Sequence, residues 1–348
     1  MKALQLTGWK QLPQFQEVAT PEPGPGEVLV RIGAAGACHS DLHLFHDFEP
    51  GALPYELPFT LGHENAGVVE AFGAGVTGLD TGQPVVVYGP WGCGRCYPCV
   101  QGVENYCERQ AEIGAAGGGL GRDGGMAPFM IVPAARYLVP LTDLDPVEAA
   151  PLTDAGLTPY HAIRRALPVL VPGATAVVIG AGGGLGHLAV QILRAVSSCR
   201  VIGVDTRDSG LELARRLGAH DAVMSGPDAE DEIRELTRGR GAEAVFDFVG
   251  IDPTMALGAA VVRPQGHLTV LGIGGGTLPI SFFSIPYEVA VSTTYWGTIP
   301  ELFEVIALAE RGDITPVVHR YPLDDALDAY EAMRSGALEG RAVIVPEA

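Results

Sequence analysis

Hydrophobic and polar positions divide the chain into two textures. Early on, short β-branched runs alternate with glycine and proline. EVLVRIGAAG (27–36), HENAGVVEAFG and QPVVVYG each predict a strand that runs into a turn. Residues 89–125 hold many Gly and Cys but little periodicity, which predicts an irregular excursion that needs an internal staple. After Asp154 the pattern changes. TAVVIG (175–180) reads as a buried strand, LGHLAVQILRAVSS (185–198) as a helix, RVIGVD (200–205) as a strand and SGLELARRLGA (209–219) as a helix. AVMS, DEIRELTRG, AEAVFDFVG, DPTMALGAAVV and GHLTVLGIG continue the alternation, and VSTTYWG (291–297) is read as its last strand. Such alternation predicts a parallel sheet with crossover helices, a doubly wound α/β fold. Beyond residue 298 come the helices PELFEVIALAERG and LDDALDAYEAMRSG and the strand RAVIVP. The pattern alone allows these to form a separate subdomain.

Composition narrows the class. The chain has 348 residues, 47% of them hydrophobic, which suits two domains or one large one with a sizeable core. A formal net charge of −19 repels nucleic acid and anionic membrane, so neither is expected as a partner. The chain has no long uninterrupted apolar run, so no membrane span is expected. MKALQLTGWKQL lacks the apolar core of a signal peptide, so the expected location is the reducing cytoplasm.

GAGGGLGH (180–187) lies between a strand and a helix, the context of a dinucleotide-binding loop, but its third glycine falls one place late. Gly180-x-Gly182-x-x-x-Gly186 and Gly180-x-x-Gly183-x-x-Gly186 describe one longer turn. A third spacing, through Gly184, Gly186 and Ala189, would start the turn inside the expected helix. The longer turn puts Gly182, Gly183, Gly184 and Leu185 beside the phosphates at a helix N-terminus. Asp205, at the end of the next strand, is placed to accept from the adenosine ribose hydroxyls and to repel a 2′-phosphate. This favours NAD over NADP, with Arg207 weakening the preference.

WGCGRCYPCVQGVENYC spaces Cys93, Cys96, Cys99 and Cys107 as C-x2-C-x2-C-x7-C. Four thiolates from one segment close a tetrahedral zinc site with no open position, a structural staple. An Fe–S cluster or disulfides are the alternatives; for the cluster, the proline and second motif of ferredoxins are missing. A different set is scattered: Cys38 in GACHSDLH, His63 and Glu64 in LGHENAG, and Asp154 in PLTDAGLTPYHA. Cys, His and a carboxylate can form the three-ligand site of a catalytic zinc. Taken singly, such residues are more often a buried cysteine, a core histidine and a helix-capping aspartate.

Together, GACHSD, LGHENAG, the cysteine lobe, TDAGLTPYHA, the nucleotide half and the terminal GRAVIVP resemble the zinc-dependent medium-chain alcohol dehydrogenases nearly end to end. The likeness is nearest to actinobacterial secondary-alcohol enzymes. It implies a GroES-like catalytic domain at 1–154 and 298–348, completed by the tail, and a Rossmann domain at 155–297. It implies two zinc ions per chain, the catalytic one on Cys38, His63 and Asp154, and reversible hydride transfer between small, mainly secondary alcohols or ketones and NAD(H). Glu64 then matches the family's carboxylate beside the ligands. Ser40 and His43 match the relay that carries the alcohol proton to solvent. Thr158 is expected against the nicotinamide, His39 and Arg341 near the pyrophosphate, and Tyr55, Leu120, Tyr295 and Trp296 as walls of an apolar substrate pocket. Members of the family are dimers or tetramers. The competing readings are a zinc-free quinone-reductase-like NADPH enzyme, a polyol dehydrogenase and a non-enzymatic zinc protein.

Overall fold

The computed structural model describes residues 1–346, which form two compact units. The first comprises Met1–Leu157, Trp296–Glu310 and the chain from Val318 onward. The second comprises Thr158–Tyr295 and Arg311–Val317.

The second unit is a parallel sheet. Among the described residues its strand order is Asp221–Met224, Arg200–Asp205, Thr175–Ile179, Ala242–Asp247, Val262–Val270, Ala290–Thr293. Numbered along the chain, this is the 3-2-1-4-5-6 order of a dinucleotide-binding sheet. The central strands are buried throughout, which is why TAVVI and AEAVFD read as continuous apolar runs instead of alternating. Val177, Ile179, Ile202, Val204, Val245 and Leu268 are the middle of this core. The helix Gly186–Val196 follows the first strand after a six-residue turn.

In the first unit, described residues form a mostly antiparallel sheet ordered Leu138–Pro140, Pro84–Val87, Glu64–Phe72, Val28–Gly36, Arg341–Val345, Val318–Pro322, with Phe129–Val132 also pairing Val28–Gly36. The tail therefore joins the first unit: Val343 pairs with Gly36, and Gly36 pairs with Glu64 on its other side. Residues 89–125 contain only short pieces, among them the helical turns Tyr97–Val100 and Gln110–Ile113.

Two boundaries differ from the sequence expectation. The strand read at 291–297 stops at Thr293, so Tyr295 and Trp296 lie beyond it, and Trp296 falls in the first unit. The tail is also not continuous, because Arg311–Val317 returns to the second unit. That stretch is irregular and is held by side chains of the Gly186–Val196 helix, so it carries no periodicity to read.

Candidate active site

The first unit assembles Cys38, His63 and Asp154, whose donor atoms all lie within 4.8 Å of one another. Cys38 lies two residues beyond the Val28–Gly36 strand and is the N-cap residue of the helix His39–His46. Its backbone N–H donates to Asp41 Oδ2 at 3.0 Å, the reciprocal bond of a capping box. Cys38 Sγ and His63 Nε2 are each 3.8 Å from Asp154 Oδ2. Cys38 and His63 are buried and the Asp154 side chain is 14% exposed, so the trio is closed on the protein side and open at one edge. One soft thiolate, one imidazole and one carboxylate suit zinc with a free fourth position.

Asp41 was not singled out from the sequence, although it stands inside GACHSDLH. It is fully buried, its Oδ1 is 3.2 Å from His63 Nδ1, and its Oδ2 also accepts from Tyr330 Oη at 2.8 Å. Burial pushes the Asp41 carboxyl up, but the His63 ring and the donors Cys38 and Tyr330 outweigh it and hold the carboxyl below its usual range. Asp41 therefore keeps the proton on His63 Nδ1 and turns the Nε2 lone pair toward Cys38 and Asp154, the carboxylate–histidine arrangement common behind metal ligands. The capping box and that pairing were the available signal. Tyr330, 289 residues from Asp41, gave none.

Glu64 is fully buried and paired in two-pronged fashion with Arg341: Nε donates to Oε2 at 2.9 Å and Nη2 to Oε1 at 2.6 Å. Burial pushes the Glu64 carboxyl up and the Arg341 guanidinium opposes it. Glu64 Oε1 also accepts the Ala155 N–H at 2.9 Å, which fixes the turn carrying Asp154. A Cβ on Gly36 would sit 1.9 Å from Glu64 Oε2, so glycine makes the room for this carboxylate. Arg341, expected at the pyrophosphate, is buried with two of its nitrogens on Glu64, and Nη2 lies 3.8 Å from Asp154.

Ser40 Oγ is 3.3 Å from His63 Nε2, beside the metal-facing nitrogen. His43, one turn further along the same helix, is paired through Nδ1 with Asp47. His39 is exposed at the start of that helix. Trp296 is buried, with its ring edge-on to His63 at 5.8 Å between centroids. Its φ of +53° is a strained conformation for a bulky residue, the kind retained at functional sites. The missing side chain of Gly89 admits its indole. Tyr55 packs against Phe59 and Trp9, and burial pushes its phenol up to about 12. Leu120 is half-buried, next to Gly119, which packs on the Gly62–His63 backbone.

Cys93, Cys96, Cys99 and Cys107 also converge within 4.8 Å, and none is in a disulfide. Cys96–Cys99, Cys96–Cys107 and Cys93–Cys99 sulfur distances are 3.3, 3.8 and 4.0 Å. A tetrahedral zinc with bonds of about 2.3 Å sets its sulfurs about 3.8 Å apart, so the residues fit the ion. The N–H groups of Arg95 and Cys96 lower the Cys93 thiol to about 6, while burial raises Cys99. Four thiolates this close would repel one another, and a dication held between them would offset that repulsion. Gly92 is needed beside them, since a Cβ there would lie 2.5 Å from Cys99 Sγ.

In the second unit the glycine loop is one turn from Gly180 to Leu185, and the helix begins at Gly186. Gly180 has φ +82°, and a Cβ on Gly186 would lie 2.0 Å from Gly180 O. Gly186 is thus the glycine of close strand–helix packing, and the extra residue is spent in the turn. The spacing through Ala189 is ruled out, because it places the turn in the helix. Asp205 is buried, and its Oδ2 accepts the Gly182 N–H at 2.9 Å. Its Oδ1 accepts the Arg207 N–H at 3.2 Å. Thr158 is buried at the start of this unit, and Tyr295 is 44% exposed at its far end.

A 3-2-1-4-5-6 parallel sheet with a glycine loop, a three-donor open metal set and a closed four-thiolate set define a zinc-type nucleotide-dependent dehydrogenase. Comparison with known proteins narrows this. Residues 24–143 match the alcohol dehydrogenase GroES-like domain and residues 184–311 the zinc-binding dehydrogenase domain. An NAD-dependent alcohol dehydrogenase of Sulfurisphaera tokodaii is 38% identical over 99% of this chain and 100% of its own length. The D-arabinose 1-dehydrogenase (NADP(+)) of Saccharolobus solfataricus is 36% identical over 99% and 97%. The crystal structure of the Aeropyrum pernix alcohol dehydrogenase superposes with a TM-score of 0.92 at 37% identity, covering 99% of this chain and 100% of that one. The chain belongs to the zinc-type medium-chain alcohol dehydrogenase family. These relatives are archaeal, so the narrower likeness to actinobacterial secondary-alcohol enzymes is not what the matches single out.

Proposed function

We propose that this NAD-dependent alcohol dehydrogenase interconverts small, mainly secondary alcohols and ketones, with two zinc ions per chain. The observation that carries the reading is the Cys38–His63–Asp154 trio with one open edge. Zinc held there supplies Lewis acidity to the alcohol or ketone oxygen. The chain's own residues do the rest. Asp41 orients His63, and the Glu64–Arg341 pair fixes the turn that carries Asp154. Ser40 and His43 relay the alcohol proton toward solvent, the hydroxyl giving up its own proton as it takes the substrate's. Trp296, Tyr55 and Leu120 support an apolar substrate wall in the first unit, and Tyr295, in the second, is a candidate substrate contact. Thr158 backs the nicotinamide, and His39 stands near the pyrophosphate as a hydrogen-bonding ring whose charged form is disfavoured by desolvation and by Arg341. Arg341 itself, buried against Glu64, holds the metal site instead. Asp205 supports NAD over NADP, since its buried charge repels a 2′-phosphate.

The free thiols of the lobe suit a reducing cytoplasm. Among the described residues no helix is long and apolar enough to cross a membrane. A homo-oligomer is supported by the sheet edge at Ala290–Thr293, preceded by the exposed Phe282, Phe283 and Tyr287, and sedimentation tests it. A sugar substrate is the second reading, favoured by the likeness to the D-arabinose enzyme. The deciding experiment is a kinetic panel of small primary and secondary alcohols, ketones and aldoses with both cofactors, alongside metal analysis of wild type and Asp154→Ala. The variant is expected to lose one of two zinc ions and its activity while keeping its fold. Full activity in Asp154→Ala would sink the metal assignment, and a preference for aldoses with NADP would move the reading to the sugar enzyme.

A further inference from the structure

His187 is the second residue of the helix Gly186–Val196 and is fully buried, yet nothing in the chemistry above uses it. Its Nδ1 is 2.9 Å from Gly183 O, and its Nε2 is 3.0 Å from the Val317 N–H. A carbonyl only accepts and an amide N–H only donates, so Nδ1 carries the proton and Nε2 offers its lone pair. These two bonds fix one tautomer of a neutral imidazole.

Gly183 O also accepts the His187 backbone N–H, at 3.1 Å, so this carbonyl is held twice toward the helix. In a trans peptide the C=O and the following N–H point opposite ways. Holding Gly183 O inward therefore turns the Gly184 N–H outward, in the stretch of loop that faces the phosphates. One helical turn on, Gln191 accepts the Thr315 N–H at 2.9 Å and donates to Thr315 O at 3.0 Å. His187 and Gln191 together grip Arg311–Val317, the stretch from which the chain passes at Val318 into the first unit.

We propose that His187 is a positioning residue for the dinucleotide: it aims the Gly184 N–H at the pyrophosphate and ties that peptide to Arg311–Val317. The proposal rests on the reading of the glycine loop as the cofactor loop. His187→Phe keeps a ring of similar size and removes both bonds. Gln191→Leu releases Thr315 but leaves Gly183 O held. Dissociation constants for NADH and ADP-ribose are measured by fluorescence and calorimetry, and adenosine is measured as a competitive inhibitor.

His187→Phe is expected to weaken NADH and ADP-ribose by about tenfold, the loss of one well-aimed donor to a charged group. Adenosine, which lacks the pyrophosphate, is expected to change by less than about twofold, and Gln191→Leu to shift none of the three by more than about threefold. KM for NAD should rise while kcat at saturation holds. If His187→Phe binds NADH like wild type, or weakens all three ligands equally, the proposal is overturned. Equal loss in Gln191→Leu overturns it too, since the effect would then come from the gripped segment. If His187→Phe does not fold, His187→Asn takes its place with the same readouts. Failure of wild type to bind NADH at all would overturn the cofactor-loop reading itself, a distinguishable result.

Discussion

Arg341→Met tests whether the scattered ligands are held by a single buried ion pair. Methionine keeps much of the arginine's apolar volume but not its charge. Arg341 is 3% exposed and Glu64 is 0% exposed, with two parallel hydrogen bonds between them. Removing one partner leaves a desolvated carboxylate alone, which costs about 3–5 kcal/mol. Replacing both partners removes the orphaned charge, so Glu64→Gln combined with Arg341→Met is expected to cost much less than the single change. With a urea m-value of about 3 kcal/mol/M, the single variant moves the unfolding midpoint of the first unit by roughly 1–1.7 M. The transition is followed by near-UV circular dichroism, where Trp91, Tyr137 and Trp296 of that unit report. NADH fluorescence follows the second unit separately, since a chain of two units need not unfold in one step. Zinc content should fall as well, because Glu64 also holds the Ala155 N–H beside Asp154. A midpoint shift below ~0.3 M, or a double variant less stable than the single one, would refute the reasoning.

Cys99→Ser should remove the zinc of the lobe and expose residues 89–125 to protease, while NADH binding by the second unit persists; limited proteolysis with mass spectrometry checks this. Tyr330→Phe loses the donor to Asp41 and should speed zinc release from the Cys38 site to a chelator by about tenfold without altering release from the lobe. Equal rates in variant and wild type would deny Tyr330 that part. Asp205→Asn keeps an acceptor for the Gly182 N–H but drops the charge, so the NAD/NADP ratio of kcat/KM should fall roughly tenfold with the loop intact. Asp205→Ala should in addition weaken NADH, and the same ratio in both variants with unchanged NADH affinity would exclude a holding role for Asp205.

What was legible in the sequence follows from how far apart the interacting residues lie. The second unit was plain because its buried strands are continuous apolar runs and its helices keep a 3.6-residue period. The lobe was plain because its thiols lie within one short segment. The extra loop residue was visible, but its use was not: that Gly186 packs on Gly180 O is a fact of backbone approach. Val318–Pro322, sequence VHRYP, is mostly half-buried or exposed and does not alternate, so it passed unnoticed as a strand. Arg341 and Tyr330 reach their partners across 277 and 289 residues, and no local pattern encodes such a meeting. Asp41 was overlooked for a different reason, since a helix-capping aspartate and a ligand-orienting one look alike until the histidine is seen behind it.

The Glu64–Arg341 pair also sets an order of events during synthesis. The four thiols of the lobe have all left the ribosome once Cys107 has, so that metal centre can mature while most of the chain is unmade. The other centre is expected to lag: its ligands are translated by Asp154, yet the cation that neutralises Glu64 arrives only with the late strand Arg341–Val345. Zinc uptake is therefore expected in two stages, one cotranslational and one after the tail has paired. Ribosome-bound chains arrested between these points should hold a single tightly bound zinc ion, and a second tight ion at that stage would contradict the order.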